Sequence, residues 1–365
     1  MTRDDLKLSS QYESKVTLNH KTQRDLNMKS RSAFLSGLVA GALLTLATAA
    51  VAAGNPYIGR WALTLPAGNA GWLGIEEQGG QLKGSILWGG GSVLPVTSVT
   101  VKDGTLIVTR ESSDNPKKAG GKKGKQEKVV ETITAKVSGD NLKLTTVKSR
   151  AGGKEFGQAE FTGKHIPPLP PRPDLAKVKF GPAITLFNGK DLSGWKLLNP
   201  DKPNGWSAKD GVLLNRPVQE EGKPRKSYSN LRTEQEFEDF NLRIETRTLT
   251  NSNSGIYLRG VYEIQISESF GKPLDSHNMG ALYSRITPTA AAEKPVGEWQ
   301  TLEITLVDRH LTVILNGKRI TDNQPVLGCT GGALTSDEFK PGPLYLQGDH
   351  SDIDYRNIIL RPVIR

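Results

Sequence analysis

Apolar and polar residues alternate along much of the chain after residue 54, and the clearest example is Asn253–Ser267, NSGIYLRGVYEIQIS. In its second half, YEIQIS, every other residue is apolar, and the residues between are Glu263, Gln265 and Ser267. Because strand side chains point alternately to opposite faces, the apolar set can pack inward while Glu263 and Gln265 share the other face. The pattern predicts two strands joined at Gly260-Val261. Their polar face is either solvated or a binding site, and alternation alone does not distinguish the two.

Similar patterns fill residues 176–365. Phe240 to Leu249 alternates cleanly, and Asn316-Gly317 between two apolar runs is a strong signal for a tight hairpin turn. Roughly eleven to fourteen short strands fit this region, with no sustained helical period. The expected fold is all-β, a two-sheet jelly roll or lectin-like sandwich.

Residues 55–165 predict a separate small β domain of about seven or eight antiparallel strands, divided by Asp-Gly and Gly-Gly turns. Its Gly59-Arg60-Trp61 start is similar to that of lipocalin-like small barrels, although a two-layer sandwich fits equally well. The stretch IPPLPPRP then marks a stiff linker at residues 166–175, which separates this domain from residues 176–365.

Residues 1–53 form an N-terminal extension with an uncharged apolar run from Ala33 to Ala53. Small residues at its end predict a secretory signal peptide, and export to the periplasm or the cell exterior. The run is also long enough for an uncleaved membrane anchor. Translation from Met28 would give a short basic n-region, so we expect synthesis to start there; peptides from residues 1–27 in a mass spectrum would contradict this.

The net charge of +10 comes mainly from two short segments of the chain. Residues 1–32 hold seven Lys/Arg against four Asp/Glu, and residues 116–128 hold six Lys against one Glu. A basic folded surface with interleaved aromatics is absent, which argues against nucleic-acid binding. The Lys-rich loop 117–128 is either solvated or contacts an anionic cell envelope. Cys329 has no cysteine partner for a disulfide and is expected to be buried.

A series of motifs resembles one protein family. In order along the chain these are FNGKDLSGW, DFNLRIETR, NSGIYLRG, YEIQIS, GALY, GEWQTLEIT, LNGK and LYLQGDHSDIDYRNIILRP, within about residues 180–363. They resemble the 3-keto-disaccharide hydrolase family, formerly a domain of unknown function. The resemblance implies a concanavalin A-like jelly roll, cleavage of glycosides oxidised at sugar C3, and a sugar or oligosaccharide substrate.

The keto group of such a sugar acidifies the C2 proton, so the site needs a base, an electrophile for the oxyanion and partners for the hydroxyls. The predicted catalytic residues are Glu263, His350 and Arg259, although Arg259 could instead form an ion pair with Glu263. A direct two-carboxylate glycosidase mechanism is the alternative chemistry. The predicted substrate-binding residues are Gln265, Tyr257, Asn253, Arg356, Asn357 and Tyr283, with His277 a weaker candidate and at most one of Arg356 and Asn357 in the cleft.

No cofactor is expected. Asp349, Asp352 and Asp354 could supply oxygen ligands to Ca²⁺, but their spacing lacks the Gly and Glu of a calcium loop, and a solvated turn is favoured. Two other functional classes stay open: a non-catalytic carbohydrate-binding protein and an envelope scaffold. A converging Glu263 and His350 in a deep cleft would favour the enzyme, and a shallow aromatic groove would favour the binding protein.

Overall fold

The short alternating segments of residues 59–166 form one antiparallel sheet.

The computed structural model describes residues 54–114, 127–150 and 153–365, so the predicted signal segment and residues 117–126 of the Lys-rich loop lie outside it. Within these residues the chain is all-β, without a helix. The described residues hold no helix with the length and apolar character needed to cross a membrane.

Nine strands make up the first sheet, in the spatial order β4-β3-β2-β1-β9-β8-β7-β6-β5. They are β1 (Gly59–Thr64), β2 (Ala70–Gln78), β3 (Gln81–Trp88), β4 (Leu94–Pro95), β5 (Ser98–Lys102), β6 (Thr105–Asp114), β7 (Glu127–Ser138), β8 (Asn141–Arg150) and β9 (Glu155–Ile166). Between β4 and β5, Val96 N–H donates to Gly84 O on β3, and Thr97 N–H donates to Thr109 O on β6. These bonds close the sheet into a small barrel, which has its own apolar core around Trp61, Leu106 and Ile133.

The second half folds into two facing sheets, the jelly-roll sandwich that the alternation predicts. A nine-stranded sheet has the order β13-β14-β23-β16-β19-β20-β21, with β10 and β11 also paired to β23, and a five-stranded sheet has the order β12-β15-β22-β17-β18. The strands are β10 (Lys179–Phe180), β11 (Ile184–Thr185), β12 (Trp195–Leu197), β13 (Trp206–Lys209), β14 (Val212–Asn215), β15 (Leu231–Phe237), β16 (Phe240–Thr248), β17 (Asn253–Leu258), β18 (Tyr262–Ser267), β19 (Trp299–Val307), β20 (His310–Leu315), β21 (Lys318–Pro325), β22 (Gly342–Leu346) and β23 (Ile353–Ile364).

Alternation along β18 decides which side chains enter the core between these sheets. Tyr262, Ile264 and Ile266 are fully buried members of that core. Glu263 and Gln265 therefore lie on the opposite, outer face of the five-stranded sheet, as the sequence pattern predicts.

The barrel and the jelly roll share apolar packing. Ala70, Trp72, Leu87 and Ile166 on the outer face of the barrel belong to the same continuous core cluster as the jelly-roll interior. The Pro-rich linker is also held in place, because Arg309 donates to Pro168 O (3.2 Å) and Asn323 donates to Pro173 O (2.8 Å). The two halves are therefore packed together and not merely tethered.

Candidate functional site

Glu263 occupies a buried position on the outer face of the five-stranded sheet. Only 4% of the residue is exposed. On the neighbouring strand, Gly255 leaves room for the carboxyl group, since a Cβ at Gly255 would collide with Glu263 Oε1. The backbone N–H of Glu263 donates to Thr330 Oγ1 (2.8 Å), which ties β18 to the loop that follows β21. The carboxyl group is thus held between a strand and a loop.

The protonation of Glu263 is shifted by this environment. Burial raises the pKa of Glu263 to about 8; a hydrogen bond from Tyr257 works to lower that pKa, and the charge of Asp349 raises it further. The Tyr257 hydroxyl lies 2.8 Å from Glu263 Oε2 and 2.7 Å from Gly331 O, but it has one hydrogen to donate. A protonated Glu263 can donate to Tyr257 while Tyr257 donates to Gly331, so both bonds form only when Glu263 carries the proton.

Two stacked tyrosines support this network. The rings of Tyr257 on β17 and Tyr345 on β22 are 3.9 Å apart and 12° from parallel. The Tyr345 hydroxyl donates to Gly332 O at 2.7 Å, next to the carbonyl that Tyr257 uses. Burial raises the pKa of both phenols well above the ordinary value, so both stay protonated as donors. Tyr257 therefore positions the carboxyl group of Glu263, and its ring is covered by Tyr345 and not open to a sugar.

Gln265 extends the polar face toward a surface cavity. Its Nε2 donates to Asn253 Oδ1 (3.1 Å), while its Oε1 is buried and has no hydrogen-bond partner among the described residues. Asn253, Gln265 and His277 line a cavity of about 580 Å³. This size falls in the range of about 300–1,000 Å³ that is common for small-molecule sites. A buried acceptor without a partner next to such a cavity suits a sugar hydroxyl, since an unpaired buried polar atom is costly.

His350 lies with Asp349 in the loop between β22 and β23. Its Nδ1 is 2.6 Å from Asp349 Oδ1. Burial works to raise the pKa of Asp349, but the hydrogen bond and charge of His350 outweigh it and keep that pKa below its usual range. Arg225 donates to His350 O (2.7 Å) and Asn215 donates to Gly348 O (3.0 Å), so the loop backbone is held from two sides. The charge of Asp349 acts on Glu263 and raises the pKa of that carboxyl group.

Tyr283 and His277 lie at the free edge of β18. The backbone of Tyr283 donates to Glu263 O (3.0 Å), so the segment GALY runs along that edge. The ring of Tyr283 packs edge-on against His277 at 5.0 Å. The structure therefore places Tyr283, Asn253 and His277 on the same side of the molecule as Glu263 and Gln265.

Arg259 lies in a different place from the one that the sequence predicted. Its φ is +56°, so it belongs to the turn between β17 and β18, and the period-two alternation that put it beside Tyr257 ends at Leu258. Its guanidinium donates to Glu338 O (2.8 Å) and Lys340 O (2.5 Å). The ion pairs of the described residues do not include one between Arg259 and Glu263, and Arg259 holds the loop before β22.

Arg356 and Asn357 lie on β23, in the nine-stranded sheet opposite the sheet that carries Glu263. Arg356 Nε donates to Glu245 Oε2 (2.7 Å), and Asn357 hydrogen-bonds to the same carboxylate. The expectation that these neighbours point to opposite faces is wrong, because the register shifts there and Asn357 has a φ of +51°. Neither Arg356 nor Asn357 lines the cavity beside Gln265.

The three aspartates considered for Ca²⁺ have other partners. Asp349 bonds to His350, whereas Asp354 is fully buried and accepts from Arg216 (2.5 Å) and Arg247 (2.6 Å). Asp352 lies 3.7 Å from Arg216. Among the described residues, no group of three or more His, Cys, Asp or Glu side chains is arranged to hold a metal ion.

The sequence did not reveal Gly255 and Gly331 as parts of the site, and it suggested Asp349 only as a calcium ligand and not as the partner of His350. Asp349 precedes His350 directly, and a carboxylate beside a histidine was the available signal. Gly255 and Gly331 carry no such signal, because their role is to let other backbone and side-chain atoms come close.

The sequence model of one family, described as the 3-keto-alpha-glucoside-1,2-lyase-like domain, matches residues 182–361. A Parabacteroides distasonis protein provisionally assigned as a glycosyl hydrolase shares 30% identity, with 55% of this chain and 94% of that chain covered and a TM-score of 0.41.

A second such protein from the same organism shares 20% identity over 50% of this chain and 94% of its own, with a TM-score of 0.42. The Bacillus subtilis carbohydrate-binding module CBM66 shares 11% identity over 45% of this chain and 93% of its own, with a TM-score of 0.29. No curated protein sequence matches the chain.

Proposed function

The chain belongs, through residues 182–361, to the 3-keto-alpha-glucoside-1,2-lyase-like domain family, and from this membership we propose that it is an exported enzyme that cleaves the glycosidic bond of 3-keto-glycosides or 3-keto-disaccharides. Its membership makes it a carbohydrate-active protein of glycoside-hydrolase type. The observation that carries the finer proposal is the buried Glu263, with its pKa of about 8, beside the unpartnered Oε1 of Gln265 at a cavity.

The proposed reaction uses Glu263 and His350 as a base and an acid. The Glu263 carboxylate removes the proton at C2, which the neighbouring keto group has acidified. The electron pair forms the C1=C2 double bond and the aglycone leaves from C1 with a proton from His350. Water then adds to C1 of the enone, giving a proton to His350, while Glu263 returns its proton to C2. The sum is hydrolysis, and both side chains are restored.

A carboxylate with a raised pKa suits the first step. A general base acts best when its pKa lies near the working pH. A large fraction of it is then deprotonated, and it is still a strong proton acceptor. Gln265 would accept a sugar hydroxyl, Asn253 would bind another, and the Asp349 carboxylate would orient the His350 ring. Tyr257 and Gly255 act through Glu263, and we therefore regard them as positioning residues.

The direct test incubates the full-length protein with trehalose oxidised at C3 and with 3-keto-glucosides, and measures the released sugar by chromatography. We expect time-dependent release that is proportional to protein concentration. Unoxidised trehalose is the matched control, because without the keto group its C2 proton is not acidic. Saturable binding without release would instead support a lectin-like protein.

A change of charge at position 349 should move the pH profile. Because the Asp349 carboxylate raises the pKa of Glu263, Asp349→Asn should lower that pKa. A base must be deprotonated, so kcat/KM should rise with pH through about 8 in the wild type and at lower pH in the variant. The measurement is kcat/KM against pH from 5 to 10, with Asp352→Asn, which removes a charge from the same loop, as control. A shift to higher pH in Asp349→Asn would contradict the assignment.

A further inference from the structure

The loop at residues 89–93 of the barrel contacts the jelly roll next to the cavity that Asn253, Gln265 and His277 line. It joins β3 to β4 and lies outside the region that the family covers. Gly91 packs so closely on Gly331 that a Cβ on Gly331 would overlap the Gly91 backbone. Gly332 N–H also points to Gly89 O at 3.4 Å. The loop therefore contacts the two residues whose carbonyls accept the tyrosine hydroxyls beneath Glu263.

A second set of contacts joins this loop to the edge of the cavity. Ser92 Oγ is 2.9 Å from His277 Nε2, and Val93 N–H donates to Ser284 Oγ at 2.9 Å. On its other side, His277 Nδ1 is 2.5 Å from Asp275 Oδ1. With the Nδ1 hydrogen directed at the Asp275 carboxylate, Nε2 can accept the Ser92 hydroxyl hydrogen.

The hydrogen bonds run from Asp275 through His277 to Ser92, which is the order of residues in a nucleophilic triad. Their exposed surroundings are better suited to binding a ligand than to activating a nucleophile. The Asp275 and His277 side chains are 60% and 44% exposed, so water surrounds the acid and the base. Exposed polar groups fixed in orientation by their neighbours are suited to hold the hydroxyls of a second sugar ring. His277 lines the same cavity as Asn253 and Gln265, and Ser92 lies directly beyond it.

We propose that Ser92 and His277 form the subsite for the leaving sugar, so that the barrel makes the enzyme selective for disaccharides. This inference rests on the proposed function, because it assigns the leaving-group side of the same cleft. The first sugar lies against Glu263 and Gln265 of the family domain, and the second lies against a loop that the barrel supplies. The barrel thereby acts on substrate choice and not on the proton transfer at C2.

The test compares full-length wild type, Ser92→Ala and His277→Gln on two substrates, a 3-keto-disaccharide and methyl 3-keto-glucoside, whose leaving group has no second ring. Loss of one or two hydrogen bonds should raise KM for the disaccharide about 3- to 10-fold more than KM for the methyl glycoside. Ser98→Ala, on an exposed position of β5, is the control and should leave both KM values unchanged. Binding of both sugars is measured in parallel by calorimetry.

The outcomes separate this inference from the proposed function. Equal KM changes for both substrates, or none, would overturn the subsite while the enzyme stands. Disaccharide binding that is weakened by Ser92→Ala without any cleavage would keep the subsite and overturn the enzyme. Neither binding nor cleavage by the wild type would overturn both.

Discussion

Glu263→Gln is expected to lower kcat for a 3-keto-glucoside by about 10²- to 10⁴-fold, the usual contribution of a general base. Glutamine has nearly the same shape, and its carbonyl can still accept from Tyr257, so folding and KM should change little. The amide cannot take the C2 proton, which isolates the chemical step. Steady-state kinetics on the purified variant, with circular dichroism to check its fold, measure this directly.

Glu303→Gln is the matched control, because it removes an exposed carboxylate from a strand of the other sheet. Its kcat should equal that of the wild type. Exchange of the C2 proton with deuterated solvent gives a second measurement that does not require release of the aglycone, and it should also be lost in Glu263→Gln. If Glu263→Gln keeps full turnover, another group is the base.

The same substitution should change how stability depends on pH. Burial raises the pKa of Glu263 in the folded state above its unfolded value, so the folded state favours the protonated form. The stability that this provides is complete below the unfolded pKa, near 4.5, and is lost as pH rises through about 8. Glu263→Gln should therefore melt at a higher temperature than the wild type at pH 9, and the difference should shrink at pH 5.

Glu338→Ala is expected to reduce the free energy of unfolding by about 1–3 kcal/mol, because it leaves the buried Tyr262 hydroxyl without its hydrogen-bond acceptor. Glu338 is 1% exposed and accepts a hydrogen bond from Tyr262 (2.9 Å). Burial raises the pKa of Glu338, whereas the charges of Arg285, Arg309 and Arg60 act to lower it. Arg60 comes from the barrel and is half-buried, so the charges that act on Glu338 come from both halves of the protein.

Chemical denaturation of the full-length protein measures this loss. The matched control is Asp337→Ala, which removes the neighbouring carboxylate from an exposed ion pair with Lys340 (3.2 Å). Exposed pairs contribute about 0–1 kcal/mol, so the control should unfold almost like the wild type. Equal losses in the two variants would show that the hydrogen bond between Tyr262 and Glu338 contributes no more than an exposed ion pair.

The faces of the strands were predictable from the sequence, and the positions of turn residues were not. On β18 the apolar residues entered the core and Glu263 and Gln265 faced outward, because the period of a strand is fixed by its geometry. Arg259 and Asn357 broke the rule, since a positive φ rotates a side chain out of the alternating series. The ordered family motifs are confirmed by the match at residues 182–361.

Contacts between distant parts of the chain explain what the sequence left open. The approach of Gly91 to Gly331 and the bond between Ser92 and His277 join segments far apart in sequence, and no local pattern encodes them. The electrostatic effect of Asp349 on Glu263 likewise depends on how a loop returns to the sheet. The fold class follows from local alternation, whereas the site depends on contacts between segments that are far apart in the sequence.

The position of β23 has a consequence for synthesis on the ribosome. This strand, Ile353–Ile364, lies between β14 and β16 and also pairs with β10 and β11. The nine-stranded sheet of the jelly roll therefore lacks a central strand until residues 353–364 have emerged. The barrel has most of its strands paired with neighbours in sequence, and it can close much earlier. Its apolar outer face around Trp72 would then be exposed on the nascent chain while the jelly roll is completed, which is the interval in which chaperone binding would protect it.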